Sequence, residues 1–365
     1  MYLPPYTAPA MSSDCTLEPF VASGHPLHTR TLTVEACRTE AGRVRLDGAI
    51  LDLRKCGFVP TGGELQTAGF IHHMQLSFEV DAANARILEV STAQPTVAFE
   101  ATPLSGGDSC RDPAPRLSAL VGERLDAGFV RRLGALFGGA LGCSHLLTLA
   151  QLMGSSAPRF LSAQRKLEAR APGDRIGKRS LFLDGFERSE GGLEIALQLS
   201  EFVSRPESEV RYPLDRLEHQ HELRLLARID REVSRIETLD AVERERDSAT
   251  LASAVWRSRS EALSALVGGP ALRGLATRVL AQLGDEEANA PLRDALLNLA
   301  PGIIQCLAAL SHRLVAHFSG GSGTTPGRIP RELSVGGTPD SCYMWRSDGP
   351  LARARAQAAA KIAAS

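Results

Sequence analysis

Residues Arg30 to Asp52 and Arg179 to Glu201 carry one pattern at an offset of 149 positions. Arg30 falls on Arg179, Leu32 on Leu181, Gly42 on Gly191, Ile50 on Leu199 and Asp52 on Glu201. The same offset brings His72 onto His221, Leu76 onto Leu225, Asp81 onto Asp230 and Arg86-Ile87 onto Arg235-Ile236. Further along, the 21 residues from Ser118 match those from Ser264 at 9 positions, now offset by 146. Three blocks kept in one order read as a tandem duplication. A period this long means two similar domains, not a solenoid of short repeats.

The repeat also decides secondary structure where periodicity alone misleads. His221 to Leu239 places Leu226, Ile229, Val233 and Ile236 at helical spacing. Its counterpart sets Met74, Leu76, Phe78 and Val80 in strict alternation, the mark of a half-buried strand. A strand is therefore expected in both copies. Each half then runs as two strands joined by a glycine-containing turn (Thr31 to Arg38 and Arg43 to Leu53 in the first), a loop, and two more strands. Helices are expected near Arg116 to Phe137 and Ser144 to Met153, with counterparts near Ala262 to Leu283 and Ala290 to Leu310. The expected fold class is α+β: two halves, each a four-stranded antiparallel sheet covered by helices, packed as a pseudo-dimer. The boundaries are an arm over 1–26, a first repeat over 27–155, a linker over 156–177 and a second repeat over 178–318. Residues 319–365 read as a flexible Gly/Ser linker and a C-terminal segment, DSCYMWRSDG, that docks back.

Composition narrows the function. Apolar residues at 43% and charged residues at 23% fit a globular chain, and 41 basic against 42 acidic residues supply no bulk field for nucleic acid or an anionic membrane. The seven cysteines include no C-x-x-C pair, and the first fifteen residues lack a secretory pattern, so reduced thiols and a cytoplasmic location are expected. The apolar run from Leu299 to Phe318 is broken by Pro301, Gly302, Ser311, His312 and Arg313, and no membrane span is expected. The glycine-rich stretch Ser319 to Gly327 has no following Gly-Lys-Ser/Thr. No dinucleotide, G-x-S-x-G or H-E-x-x-H motif occurs, so no cofactor is expected.

The two halves differ in chemistry. IHHM (Ile71 to Met74) opens a strand and GCSHL (Gly142 to Leu146) enters a helix in the first half, whereas Asn289 and Pro291 replace Cys143 and His145 in the second. A helix N-terminus favours the Cys143 thiolate, and His145 can serve as its base or as an independent acid/base group. Adjacent strand residues face opposite sides, so His72, retained as His221, is the candidate and His73 a surface residue. Asp52, His72, Cys143 and His145 are thus the candidate catalytic set, and Arg132 and His221 the candidate substrate-binding residues. Asp52, His72, Cys143 and His145 also offer metal-ligand types, without a recognised spacing.

The runs IHHMQLSFEVD, SALVGERLDAGFVRRLGALFGGALGCSHL and DSCYMWRSDG together resemble the bacterial family named domain of unknown function 2889. That family's pattern is H-D-M, L-V-G, G-F and G-G-x-G-C-T-H-L, followed by a late Cys and Asp-Gly. The resemblance spans about Leu27 to Gly349. This chain departs from it at His73, where the family has Asp, and at Ser144, where it has Thr. The first departure removes a carboxylate from that strand position. The resemblance implies the breakdown of lignin-derived aromatic compounds. With the residues above, it implies a cofactor-independent lyase that cleaves a carbon–carbon bond by acid/base chemistry, for example by losing formaldehyde from a hydroxymethyl side chain. Two alternatives stay open: a non-catalytic binder of an aromatic ligand or partner, and a metal- or Cys-dependent hydrolase. The expected partner is a small aromatic substrate rather than nucleic acid or membrane, with homo-oligomerisation left open.

Overall fold

A computed structural model describes residues 22, 24–40, 42–61, 64–163, 169–251, 253–319 and 337–363. The strands of the first half are β1 (His25–Arg38), β2 (Arg43–Arg54), the short hairpin β3 (Val59–Thr61) and β4 (Glu64–Gln66), β5 (Gly69–Asp81) and β6 (Arg86–Thr96). Those of the second are β7 (Arg175–Glu187), β8 (Leu193–Ser204), β9 (Leu217–Ile229), β10 (Ile236–Arg246) and β11 (Arg257–Ser258). Apolar alternation makes them strands. In β2, Val44, Leu46 and Ile50 are buried, and in β5 Met74, Leu76, Phe78 and Val80 are buried, with half-exposed or exposed residues between. His221 to Leu226 lies in β9, a strand rather than a helix.

The sheet differs from the expected pair of four-stranded layers. Nine strands form one antiparallel sheet in the order β11-β10-β9-β8-β7-β1-β2-β5-β6. The join lies between β1 and β7, and its cause is physical: each would otherwise be an open edge with unpaired N–H and C=O groups. Leu32 stands opposite Leu181, Arg30 opposite Leu183 and Val34 opposite Arg179. Exchanging the two copies at the 149 offset reproduces this register.

The helices are α1 (Phe129–Phe137), α2 (Ser144–Ser162), α3 (Leu275–Leu283), α4 (Ala290–Leu297), α5 (Leu299–Ser319) and α6 (Pro350–Ala363). They depart from the expected spans in three ways. Arg116 to Phe137 is a 3-10 turn over Ala114–Leu120 and then α1, and Ala262 to Leu283 is built likewise from Ser260–Leu266 and α3. Helix α2 continues past Met153 to Ser162, and β7 starts at Arg175, so both ends of the expected 156–177 linker are structured; residues 164–168 lie outside the described ones. The expected Ala290–Leu310 helix is divided at Asn298. Pro301 is the reason: it lacks an N–H to give the preceding turn, and it sits instead in the first turn of α5, where none is needed.

Helix α2 lies on β1, β2 and β5, and α5 on β1, β7 and β8. A Cβ on Gly48 would come within 2.8 Å of the Met153 Sδ, so this glycine lets α2 settle closely on β2. The stretch Glu287–Ser311 is long and apolar enough to cross a membrane by length and composition, and 61% of its most apolar window is buried inside the protein, as in a core helix. Residues 1–21 of the arm and 320–336 around the glycine-rich linker lie outside the described residues. Beyond them, the Tyr343 N–H donates to the Gly142 carbonyl, and Met344 and Trp345 are buried, with the Trp345 ring edge-on to Phe99 at 5.8 Å.

Candidate active site

Two lateral rows cross the buried face of the first half. Hairpin register places Arg30 opposite Asp52 and His28 opposite Arg54, and the next pairing places Asp52 opposite His72. All five side chains belong to the face covered by helices. The register shifts just beyond Asp52 and His72, so that β5 carries one extra residue, Ile71. Such bulges re-aim side chains at a sheet's edge and beside active sites. From above, Gly142 turns the chain into α2: a Cβ there would meet the Phe137 carbonyl oxygen at 2.1 Å, so only glycine fits. Cys143 then caps α2, and His145 points down onto the row.

Asp52 is the centre. It is 0% exposed, and Arg30 grips it with two parallel bonds, Nε to Oδ1 at 2.9 Å and a terminal nitrogen to Oδ2 at 3.0 Å. His28 Nε2 lies 2.7 Å from Oδ1, His145 Nε2 3.0 Å from Oδ2, and His72 Nδ1 3.5 Å from Oδ2. The rings of His72 and His145 lie 3.7 Å apart, tilted by 31°. Burial alone would push the Asp52 carboxyl up. Arg30 and the hydrogen bonds from His145, His28 and His72 outweigh it and hold the carboxyl well below the usual carboxylate range. Burial, and then the neighbouring His72, push His145 down to about 3. Burial likewise lowers His28. The site is therefore a fixed carboxylate with His28 and His145 neutral around neutral pH.

That depression has a consequence for stability. His145 is neutral in the folded chain down to about pH 3, but titrates near 6.5 when unfolded. Between those values the unfolded state binds more protons, so stability present above about pH 6.5 is lost as pH falls. His28, lowered in the same direction, adds to the loss. Asp52 adds its share only below about pH 5, where the unfolded carboxyl begins to protonate. Denaturation midpoints should therefore drop between about pH 6.5 and 4.5, and His145→Gln should flatten that drop; an unchanged slope would mean that His145 is not held neutral.

A cavity of about 520 Å³ opens on this cluster. Arg30, Arg54, His72, Cys143 and His145 border it, with Ile71, Phe99, Met344 and Trp345 as apolar wall and Gln305 of α5 reaching within 3.4 Å of His145 Nε2. The C-terminal segment supplies one wall. It is anchored by Arg346, whose guanidinium lies 2.6 Å from Asp108, and by the Tyr343 hydroxyl, which donates to the same carboxylate at 3.2 Å.

Of the residues singled out in the sequence, Asp52, His72, Cys143 and His145 come together. Cys143 does so without the expected chemistry. Burial pushes its thiol up to about 12, overriding the backbone N–H groups of Leu146 and His145. Its Sγ stands 3.8 Å from both His145 Nδ1 and Met74 Sδ, so it packs as a small apolar group. Arg132 and His221 lie elsewhere. Arg132 is a surface residue paired with Glu123 at 2.6 Å and Asp126 at 3.0 Å, since the turn before α1 is rich in acids. His221 stands opposite Glu201 in the second half, but its Nε2 turns to Glu243 at 3.3 Å. There Glu201 is held by Arg179 and Arg159 instead of imidazoles, and Arg179 also reaches Asp294, whose carboxyl burial pushes up to about 6.

Sequence reasoning missed His28, Arg30, Arg54 and Gln305 as site residues. A signal existed for Arg30: a hairpin turning near Gly42 must set residue 30 against residue 52, and both copies keep an arginine and an acid there. None existed for Gln305, which arrives from the other half.

The matched family follows these residues. Residues 28–158 match the family described as a protein of unknown function, DUF2889. Over these residues the chain is similar to that family. Neither a curated protein nor a solved structure matches the chain. The DUF2889 stretch begins at His28 and ends within α2, so it contains the whole Asp52 cluster and its capping helix. Gln305 and the C-terminal wall of the cavity lie outside it.

Proposed function

We propose that the protein is a cofactor-independent lyase that cleaves a carbon–carbon bond in a phenolic, lignin-derived aromatic compound, with loss of formaldehyde from a hydroxymethyl group as the reaction. One observation carries this reading: paired imidazoles that border an apolar-walled cavity of single-ligand size, with a fully buried carboxylate behind them. His72 turns Nδ1 towards Asp52, which leaves Nε2 for the cavity that His72 borders. That nitrogen takes the hydroxymethyl proton, with Asp52 stabilising the imidazolium and His145 fixing both. As the C–O bond becomes C=O, the carbon–carbon bond breaks, formaldehyde leaves, and its electron pair passes to the carbon framework beside the aromatic ring. The imidazolium then returns the proton to that carbon. Atoms and charge balance without an oxidant.

Cys143 is a poor nucleophile at the value to which burial raises it, which weighs against a thiol hydrolase. Donor atoms of Asp52, His72 and His145 all lie within 4.8 Å of one another, which favours a metal centre as the second reading. Arg30 opposes it, because its guanidinium holds both oxygens of Asp52 and repels a second cation there. The test is a formaldehyde assay on chelator-dialysed protein with hydroxymethyl-bearing phenolic dimers. Release at the undialysed rate supports the lyase; release abolished by chelator and restored by zinc would replace it with the metal reading.

We further propose that the chain arose by tandem duplication and that its halves form a pseudo-dimer within the one sheet. The symmetric β1–β7 register supports this, as do two side-chain contacts across the halves: Ser155 of α2 reaches the second half's Asp294, while Gln305 of α5 reaches the first half's His145. A cytoplasmic location fits the six described cysteines, all of them free.

A further inference from the structure

Arg54 is 2% exposed and borders the cavity, yet among the described residues no carboxylate pairs with it. Its Nε has no hydrogen-bond partner, and its one bond runs from a terminal nitrogen to the Gln66 carbonyl at 3.5 Å, the outer limit for such a contact. The other buried arginines nearby are unlike it. Arg30 has Asp52, and Arg179 has Glu201 and Asp294. A buried guanidinium left without an anion is costly and is kept where something else supplies the charge. A second spare donor belongs to the same cavity lining, because one terminal nitrogen of Arg30 is buried and unpartnered.

We infer that Arg54, seconded by Arg30, is the binding site for an anionic oxygen group on the aromatic ligand, a carboxylate or a phenolate. This rests on the reading of the cavity as the substrate site. Placement supports it. Asp52 and Arg54 are alternate residues on one face of β2, about 7 Å apart along the strand, roughly the span of one para-substituted benzene ring. A ligand anchored by its anion at Arg54 would lay its ring along the wall of Ile71 and Phe99 and bring its far substituent to His72. Burial also lowers the Arg54 guanidinium to about 10, which agrees with a cation lacking a partner. The Arg54–anion bond would be a charge-assisted, forked contact, the kind that best discriminates an anion from its neutral analogue.

The experiment is binding to the full chain, by calorimetry, of two matched pairs: benzoate against benzamide, and 4-nitrophenolate against nitrobenzene at a pH where the phenol is ionised. The wild type should prefer at least one anion by about ten- to hundredfold. Preference for benzoate alone assigns a carboxylate, and for nitrophenolate alone a phenolate. In Arg54→Met the preference should fall to about twofold or less, with a melting temperature no lower than wild type, since an unpaired buried charge has been removed. A wild type that favours neither anion overturns the inference even if the variant fails to fold. So does a folded variant that keeps the preference. Because the readout is binding, the result stands whether or not formaldehyde is released in the turnover assay.

Discussion

Asp52→Asn should destabilise the protein by about 3–5 kcal/mol and slow turnover by about 10³- to 10⁴-fold. The substitution preserves shape and removes one charge. Arg30, 1% exposed, would keep one of its two bonds, because the amide nitrogen cannot accept, and would lose the anion that offsets its burial. Breaking a buried pair from one side leaves the partner uncompensated, and that is the larger cost. The three imidazoles around Asp52 would lose the acceptor that fixes their tautomers. Denaturant unfolding of the variant against wild type near neutral pH checks the first part. A loss below about 1 kcal/mol, the range of an exposed ion pair, would show that Asp52 is not the anion of a buried cluster.

His72→Gln should lower turnover by about 10²- to 10⁴-fold while shifting the melting temperature little. Glutamine keeps an amide near Asp52 but has no nitrogen able to take a proton. His72 is held by one long contact to Asp52 and by packing against the His145 ring, so little stability is at stake. Steady-state rates with a formaldehyde readout, alongside a thermal melt, separate the two roles. Activity that falls only in step with the folded fraction would make His72 a packing residue. Under the proposed mechanism the loss should appear in kcat, with KM nearly unchanged, because the ligand is held by Arg54 and the apolar wall.

Much of this was legible before any coordinates. Apolar alternation in β2 and β5 is a local signal, and the repeat extended it to β9, where a helical spacing pointed the wrong way. The hairpin offset made the Arg30–Asp52 pair readable too. What was not legible depends on distance in the chain. Edge pairing of β1 with β7 joins residues about 150 apart, and two closed four-stranded layers satisfied the same local pattern. The Cys143 thiol went the wrong way because a helix N-terminus is visible in sequence, whereas the depth of burial that overrides it is not. Arg132 reads as a substrate-binding residue in the sequence, where nothing shows that its near neighbours Glu123 and Asp126 fold back onto it. Arg54 was overlooked for the opposite reason: what marks it is a partner that the described residues do not supply.

The most direct measurement is turnover in heavy water with a hydroxymethyl-bearing phenolic dimer, followed by mass spectrometry and NMR of both products. One formaldehyde is expected for each aromatic product. One deuteron is expected on the carbon that bore the hydroxymethyl group, since the proton passed through His72 exchanges with solvent, and none on the formaldehyde carbon. An aromatic product oxidised by two electrons, or formaldehyde released with no new carbon–deuterium bond, would contradict acid/base cleavage at this site.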